Sequence, residues 1–259
     1  MRIAEIQRKE NPYHYFGNFR GMPFWGGSLT LLGAAPGIGK TSWLLGMLME
    51  ASAQKISSVL ACYEHTPEEL LFRLQAQAVA SIAGPHDELN DSQKAEEVLA
   101  KSATGLVLSL NDREDTIPGI EKTLLKTYGF PTYGYAFVAV DYLQRIPVVG
   151  TTGLVSEAYR GGEAAAELRK MARRHNWAVI ATAAIFQEKF SEKSLDLSSL
   201  LGDERIAYEA DRVVMMEKIS TKSCGCCYEI NIRVIKDRTD ALRDIKAEFW
   251  GKRFYVHVG

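Results

Sequence analysis

Four cysteines, eight prolines and almost no net charge set the first bounds on this chain of 259 residues. Three thiols crowd into Cys224-Gly225-Cys226-Cys227 and the fourth, Cys62, sits in an apolar stretch, so no disulfide framework can be laid out. The crowded trio lacks further ligands at metal-site spacing and reads as a thiol-rich hairpin turn, with metal or redox chemistry as the lesser alternative. A formal charge of −1 supplies no overall field to gather nucleic acid, so any such contact has to come from a local patch. No apolar run approaches the roughly 18 residues that a membrane span needs. Met1-Arg2-Ile3-Ala4-Glu5 lacks the apolar core of a signal peptide, and a cytoplasmic protein is expected. Internal repeats and low-complexity segments are also missing. Hydrophobic residues at 46% and charged residues at 24% leave an ordinary α/β domain with a substantial core.

Glycine is placed where it matters most in Leu31-Leu32-Gly33-Ala34-Ala35-Pro36-Gly37-Ile38-Gly39-Lys40-Thr41-Ser42. This segment reads as a buried strand, a tight turn and a helix start, the context of a phosphate-binding P-loop. Gly37 and Gly39 let successive backbone N–H groups turn inward toward an anion, and the helix dipole adds its positive end. Residues Ala35, Pro36, Gly37, Ile38, Gly39, Lys40, Thr41 and Ser42 form the expected nucleotide cradle. Lys40 would reach the β- and γ-phosphates, and the Thr41 hydroxyl would ligate Mg²⁺. Ala34 stands where the motif usually has its first glycine. A nucleoside triphosphate is therefore the expected ligand.

Strands and helices alternate as a parallel α/β sheet requires. Residues 1–25 look like an arm or linker, and 26–259 like one P-loop domain. Strands are expected over Ser28–Leu32, Ser57–Tyr63, Gly105–Leu110, Ala136–Val140 and Trp177–Thr182. Helices are expected over Lys40–Ala53, from Thr66 onward, over Ile117–Tyr128 and over Ser156–His175. At Thr66-Pro67-Glu68-Glu69 the cap, the early proline and the carboxylates favour a helix start. Residues 84–104 form a polar helical excursion after Gly84-Pro85, and a loop carries Gly150 and Gly153. From Asp211 onward, strand patterns with turn signals suggest antiparallel strands appended to the sheet.

Two carboxylates end apolar strands. Asp141, after Phe137-Val138-Ala139-Val140, would face the crevice where open α/β sheets bind ligands and complete the Mg²⁺ shell begun by Thr41. The plainer alternative is an aspartate capping a turn. Glu64, after Leu60-Ala61-Cys62-Tyr63, could polarise the water that attacks the γ-phosphate. Its alternative is a carboxylate drawn to a helix N-terminus by the dipole.

Taken together, Ala34–Thr41, Glu64 with Glu69-Leu70 and Arg73-Leu74, and especially Val140-Asp141-Tyr142-Leu143-Gln144 resemble the RecA-like ATPase domain of DnaB-type replicative helicases. The resemblance spans roughly residues 25–258 and implies a mostly parallel sheet flanked by helices, an ATP- and Mg²⁺-dependent hydrolase, and Glu64 as its catalytic carboxylate. Tyr208-Glu209-Ala210-Asp211-Arg212-Val213-Val214 looks like the family's entry to a late core strand. Asn231 through Arg238 looks like its strand ending in Lys-x-Arg. That match makes Lys236 and Arg238 a basic pair reaching the γ-phosphate of a neighbouring subunit, hence a homo-oligomer, by family pattern a ring of six. Two solvated charges at a strand end are the alternative. Single-stranded DNA is the implied track, with a separate loader or accessory protein as a further partner.

Several positions depart from that pattern. The family's γ-phosphate-sensing glutamine falls on Ala184, with Gln187 nearby as a substitute. The channel loop reads Leu201-Gly202-Asp203-Glu204-Arg205, where two acids would repel phosphates. Lys189, Lys193 and Arg205 are the candidate nucleic-acid contacts, set against an ordinary solvated surface. Arg73 and Tyr255 are candidates for the base. The family's preceding domain has no counterpart in the 25 or so residues before the P-loop strand, so a stand-alone motor or one borrowing accessory parts is expected. A RadA- or KaiC-like ATPase switch, loading or remodelling a partner without unwinding, is the competing expectation. Gly26-Gly27-Ser28-Leu29-Thr30-Leu31 running into the P-loop resembles that branch equally.

Overall fold

The computed structural model describes residues 15–83, 92–103, 106–108, 116–148, 157–222, 227–238 and 244–258. Gly84-Pro85, Gly150, Gly153 and Cys224 to Cys226 lie outside the described residues. The chain opens with β1 (Tyr15–Phe19), β2 (Met22–Trp25) and β3 (Ser28–Gly33), then α1 (Lys40–Ala53) and β4 (Ser57–Cys62). It continues through α2 (Pro67–Ala83), α3 (Ser92–Ser102), β5 (Leu106–Leu108), α4 (Ile117–Lys126) and β6 (Ala136–Asp141). The last part holds α5 (Glu157–His175), β7 (Ala178–Ala183), α6 (Glu204–Glu209), β8 (Arg212–Thr221), β9 (Cys227–Asp237), β10 (Asp244–Trp250) and β11 (Tyr255–Val258).

Nine strands form one sheet in the order β11-β10-β9-β8-β3-β7-β6-β4-β5. From β8 to β5 all neighbours run parallel, and β9, β10 and β11 join antiparallel. This is the mostly parallel sheet with appended antiparallel strands that the sequence implies. Around the P-loop the expected elements hold to within a residue: β3 extends to Gly33 and β4 stops at Cys62. The expected 117–128 helix ends at Lys126.

The apolar strands are buried on both faces because successive side chains point to opposite sides. Leu29, Leu31, Val138, Val140, Val179 and Ala181 pack on α4 and α5. Leu32, Phe137, Ala139, Ile180 and Val214 face α1 and α2 instead. The helix α2 starts with a reciprocal cap. The Glu69 N–H donates to Thr66 Oγ1 at 3.3 Å, and the Thr66 N–H donates to Glu69 Oε2 at 2.9 Å.

Over residues 15–25 the structure differs from the expected arm. They form the antiparallel hairpin β1–β2, and Phe19, Met22 and Phe24 are buried with the α1 side of the core. Phe137 meets Phe19 edge-on at 5.2 Å and Phe24 at 4.9 Å between ring centroids. Aromatic residues among polar ones look like a solvated lead-in when read locally. Once the sheet supplies a face for them, burial of their rings outweighs the cost of ordering the hairpin.

Candidate active site

All the singular features of the P-loop lie at the carboxyl end of β3. Gly37 and Gly39 take positive φ values of 77° and 102°, which L side chains rarely adopt. A Cβ built on Gly37 would meet nothing within 4 Å, so the turn borders open space of the kind a phosphate fills. At Gly39 the same atom would lie 2.7 Å from Cδ2 of Phe249, so the loop there has no room for a side chain. Gly39→Ala is accordingly expected to cost about 1–2 kcal/mol from the left-handed backbone alone, plus displacement of Phe249. A lowered thermal midpoint together with weakened nucleotide binding by fluorescence titration would show it.

Lys40, the first residue of α1, folds back over the loop and donates to the carbonyls of Ala34 at 2.9 Å and Ala35 at 3.2 Å. Burial pushes its ammonium below the usual lysine range, while the negative charges of Asp141 and Glu64 pull it back up. One residue on, Thr41 Oγ1 donates to Asp141 Oδ2 at 2.6 Å. The other Asp141 oxygen accepts from the Thr182 hydroxyl at the end of β7. Asp141 is 1% exposed, so two hydroxyls, one from the first turn of α1 and one from the end of β7, orient a buried carboxylate toward the P-loop. The peptide that follows it, Asp141–Tyr142, is cis.

A cavity of about 470 Å³ opens over these groups, lined among others by Gly37, Lys40, Thr41, Glu64, His65 and Arg73. Glu64 leaves the end of β4 and is exposed to this cavity. Thr66 and Glu69 cap α2 between themselves, so Glu64 is not the capping residue of that helix. Residues 20–255 match the DnaB-like helicase C terminal domain. The chain belongs to that family.

Among the solved structures that share the fold are the following two. One, described as the structure of a DnaB-like replicative helicase and its interactions with primase, aligns at 19% identity with a TM-score of 0.72 over 89% of this chain. The other, described as an ATPase domain, aligns at 19% identity with a TM-score of 0.74 over 93% of this chain. This chain spans 57% of the length of the first and 86% of the second. No protein of curated function matches the sequence.

The rest of the DnaB-like site comes from residues remote in sequence. Tyr228 on β9 donates its hydroxyl to the Gly37 carbonyl, and its ring lies 5.1 Å from that of Phe249 on β10. Phe249 in turn packs against Gly39, so the antiparallel strands brace both glycines of the loop. Phe254, in the turn before β11, lines the cavity with Arg73, whose guanidinium carbon stands 4.7 Å from the Phe254 ring centroid. Gln77, 1% exposed, donates to the Ser42 carbonyl at 2.8 Å and the Phe254 carbonyl at 2.7 Å, which ties that turn to α1. Of the two base candidates, Arg73 borders the cavity. Tyr255 lies instead against Trp250, with ring centroids 5.2 Å apart, and under Arg20. Phe249, Phe254, His65 and Tyr228 escaped the sequence reading, which had no local pattern to mark them.

Lys236 and Arg238 do not reach this cavity within one chain. Lys236 Nζ donates to the carbonyls of Ala207 at 2.5 Å and Ala210 at 2.6 Å, closing the carboxyl end of α6. Arg238 donates to the Tyr208 carbonyl at 2.9 Å and lies 3.5 Å from Asp211 Oδ1. Both border a second cavity of about 560 Å³, with Leu197, Leu200, Glu204 and Tyr208. The candidate nucleic-acid residues are divided as well. Lys189 and Lys193 line one shallow depression beside β8. Arg205 is absent from it and is held by Asp203 at 2.8 Å and Glu163 at 2.7 Å.

Ala184, standing at the sensor position, is fastened rather than free. Its N–H donates to Gln144 Oε1 at 3.1 Å, and Gln144 Nε2 donates to the Leu201 carbonyl at 2.8 Å. Gln187 is exposed and does not line the nucleotide cavity.

Proposed function

We propose that this DnaB-like chain is a magnesium-dependent ATPase motor that works as a hexameric ring and moves along single-stranded DNA. The observation that carries the ATPase reading is the convergence of Lys40, Thr41 and Glu64 on one cavity bordered by the open Gly37 turn, with buried Asp141 hydrogen-bonded to Thr41 behind it. Hard oxygen donors on Thr41 and Asp141 suit Mg²⁺, which when bound would neutralise charge on the phosphates. Lys40 and the N–H groups of the loop hold the phosphate chain. Glu64 accepts the proton of the attacking water, a role that fits its place at the cavity wall and its freedom from helix capping. Arg73 and Phe254 offer a flat cation and a ring edge for the base.

Lys236 and Arg238, remote from their own P-loop, suit a role at a neighbour's. An arginine delivered across an interface stabilises charge on the transferring phosphoryl group and makes hydrolysis depend on assembly. Family membership supports the ring, and the helicase–primase structure supports a separate accessory partner. No helix among the described residues is long and apolar enough to cross a membrane, and a cytoplasmic place goes with this reading.

One observation favours the switch alternative. Arg205, the basic group of the channel loop, is neutralised by Asp203 and Glu163. The two readings separate on DNA. A motor is expected to show ATP turnover raised several-fold by single-stranded DNA, and displacement of a strand from a forked substrate. Turnover indifferent to DNA, no displacement and no DNA retention at low salt would assign the chain to the switch class.

A further inference from the structure

We infer that Glu64, His65 and Asp141 form a cation site of their own, suited to a borderline divalent transition metal such as Co²⁺ or Zn²⁺ and open to it without nucleotide. The inference deepens the proposed ATPase reading, on which its regulatory consequence rests. One ligand atom from each of the three residues lies within 4.8 Å of the others. Donors about 2.0–2.2 Å from a shared metal stand roughly 3–4.4 Å apart, so small side-chain rotations close the set.

The Lys40 ammonium, on which the charges of Asp141 and Glu64 act, opposes a second cation here, while several contacts position the three groups for ligation. Hydroxyls of Thr41 and Thr182 hold the Asp141 carboxylate, and each of its oxygens keeps a lone pair. The His65 N–H donates to Cys62 Sγ at 3.3 Å, which sets the backbone at the end of β4. His65 Nδ1 lies 3.5 Å from Glu69 Oε2, a carboxylate beside the imidazole of the kind that steadies a metal-ligating histidine. Two carboxylates alone would suit Mg²⁺ or Ca²⁺. The imidazole shifts preference toward metals later in the divalent series. Such an ion would occupy Glu64, the proposed acceptor of the water proton, and would restrain hydrolysis until nucleotide with Mg²⁺ replaced it.

The test is a titration of Co²⁺ into the nucleotide-free, reduced protein without Mg²⁺, followed by calorimetry and by visible absorption of the cobalt. One Co²⁺ per chain is expected, with affinity reduced about tenfold or more in His65→Ala and in Glu64→Gln. Circular dichroism of both variants should match the parent, since neither side chain caps α2. Absence of binding overturns the inference. So does affinity unchanged in His65→Ala, or a near-ultraviolet thiolate-to-cobalt band placing the ion on the cysteines. Turnover of ATP with Mg²⁺ in the parent protein reports separately on the ATPase reading. An active ATPase that takes no Co²⁺ overturns this site alone, whereas Co²⁺ binding without turnover overturns the ATPase alone.

Discussion

A Glu64→Gln chain is expected to hold ATP about as well as the parent and to turn it over about 10²–10⁴-fold more slowly. The amide keeps the size of the carboxylate and loses its ability to accept a proton. The competing explanation, in which Glu64 only answers the dipole at the start of α2, predicts a change in stability and none in turnover. Thr66 and Glu69 cap that helix in both directions, and Glu64 instead lines the cavity with Lys40 and Thr41. Thermal stability should therefore be preserved while turnover collapses. Single-turnover kinetics beside an equilibrium binding measurement separates the two, and a loss under threefold in turnover would remove Glu64 from the chemistry.

The second large effect is expected at Arg238. Removing an arginine that acts on a transferring phosphoryl group costs about 10³–10⁵ in turnover. Arg238→Ala is expected to fall in that range while each P-loop still binds nucleotide. Lys40→Ala fails for the opposite reason, since its own loop loses the cation but its Arg238 remains. Mixed in one ring, the two variants place an intact P-loop beside an intact Arg238 at some interfaces, and turnover should reappear. No recovery at any mixing ratio would falsify action across the interface. Arg238 is the better probe of the pair. Lys236 closes the end of α6 on the Ala207 and Ala210 carbonyls, whereas Arg238 donates to that of Tyr208, so removing Lys236 loosens that helix more.

Part of this site is legible in the residues alone. Gly37, Gly39, Lys40 and Thr41 sit within five positions, and the turn they impose is a local property of glycine backbone and a helix start. Asp141 and Glu64 are legible because each ends a continuous apolar run, and a strand buried on both faces delivers its last residue to the ligand edge. The hairpin at 15–25 was not legible as part of the core. Its aromatic residues have nothing to pack on until Phe137 and the face of the sheet exist. Lys236 and Arg238 were legible as a pair only through family pattern, and their present partners on α6 come from a helix about 30 positions away.

What the sequence by itself determined is the phosphate cradle, the alternation of strands and helices, and two carboxylates at strand ends, all consequences of short-range backbone preference and apolar periodicity. Tertiary structure alone decided that Tyr228 would brace Gly37 from 191 positions away, and that Phe254 would join Arg73 at the cavity mouth. It also decided that Gln144 would fasten Ala184 to Leu201. These contacts depend on how β9, β10 and β11 are laid beside β8, and on which strand ends meet. Pairing between distant segments leaves no trace in either segment's own periodicity, because the alternation along a strand fixes which face is buried but not which strand lies beside it.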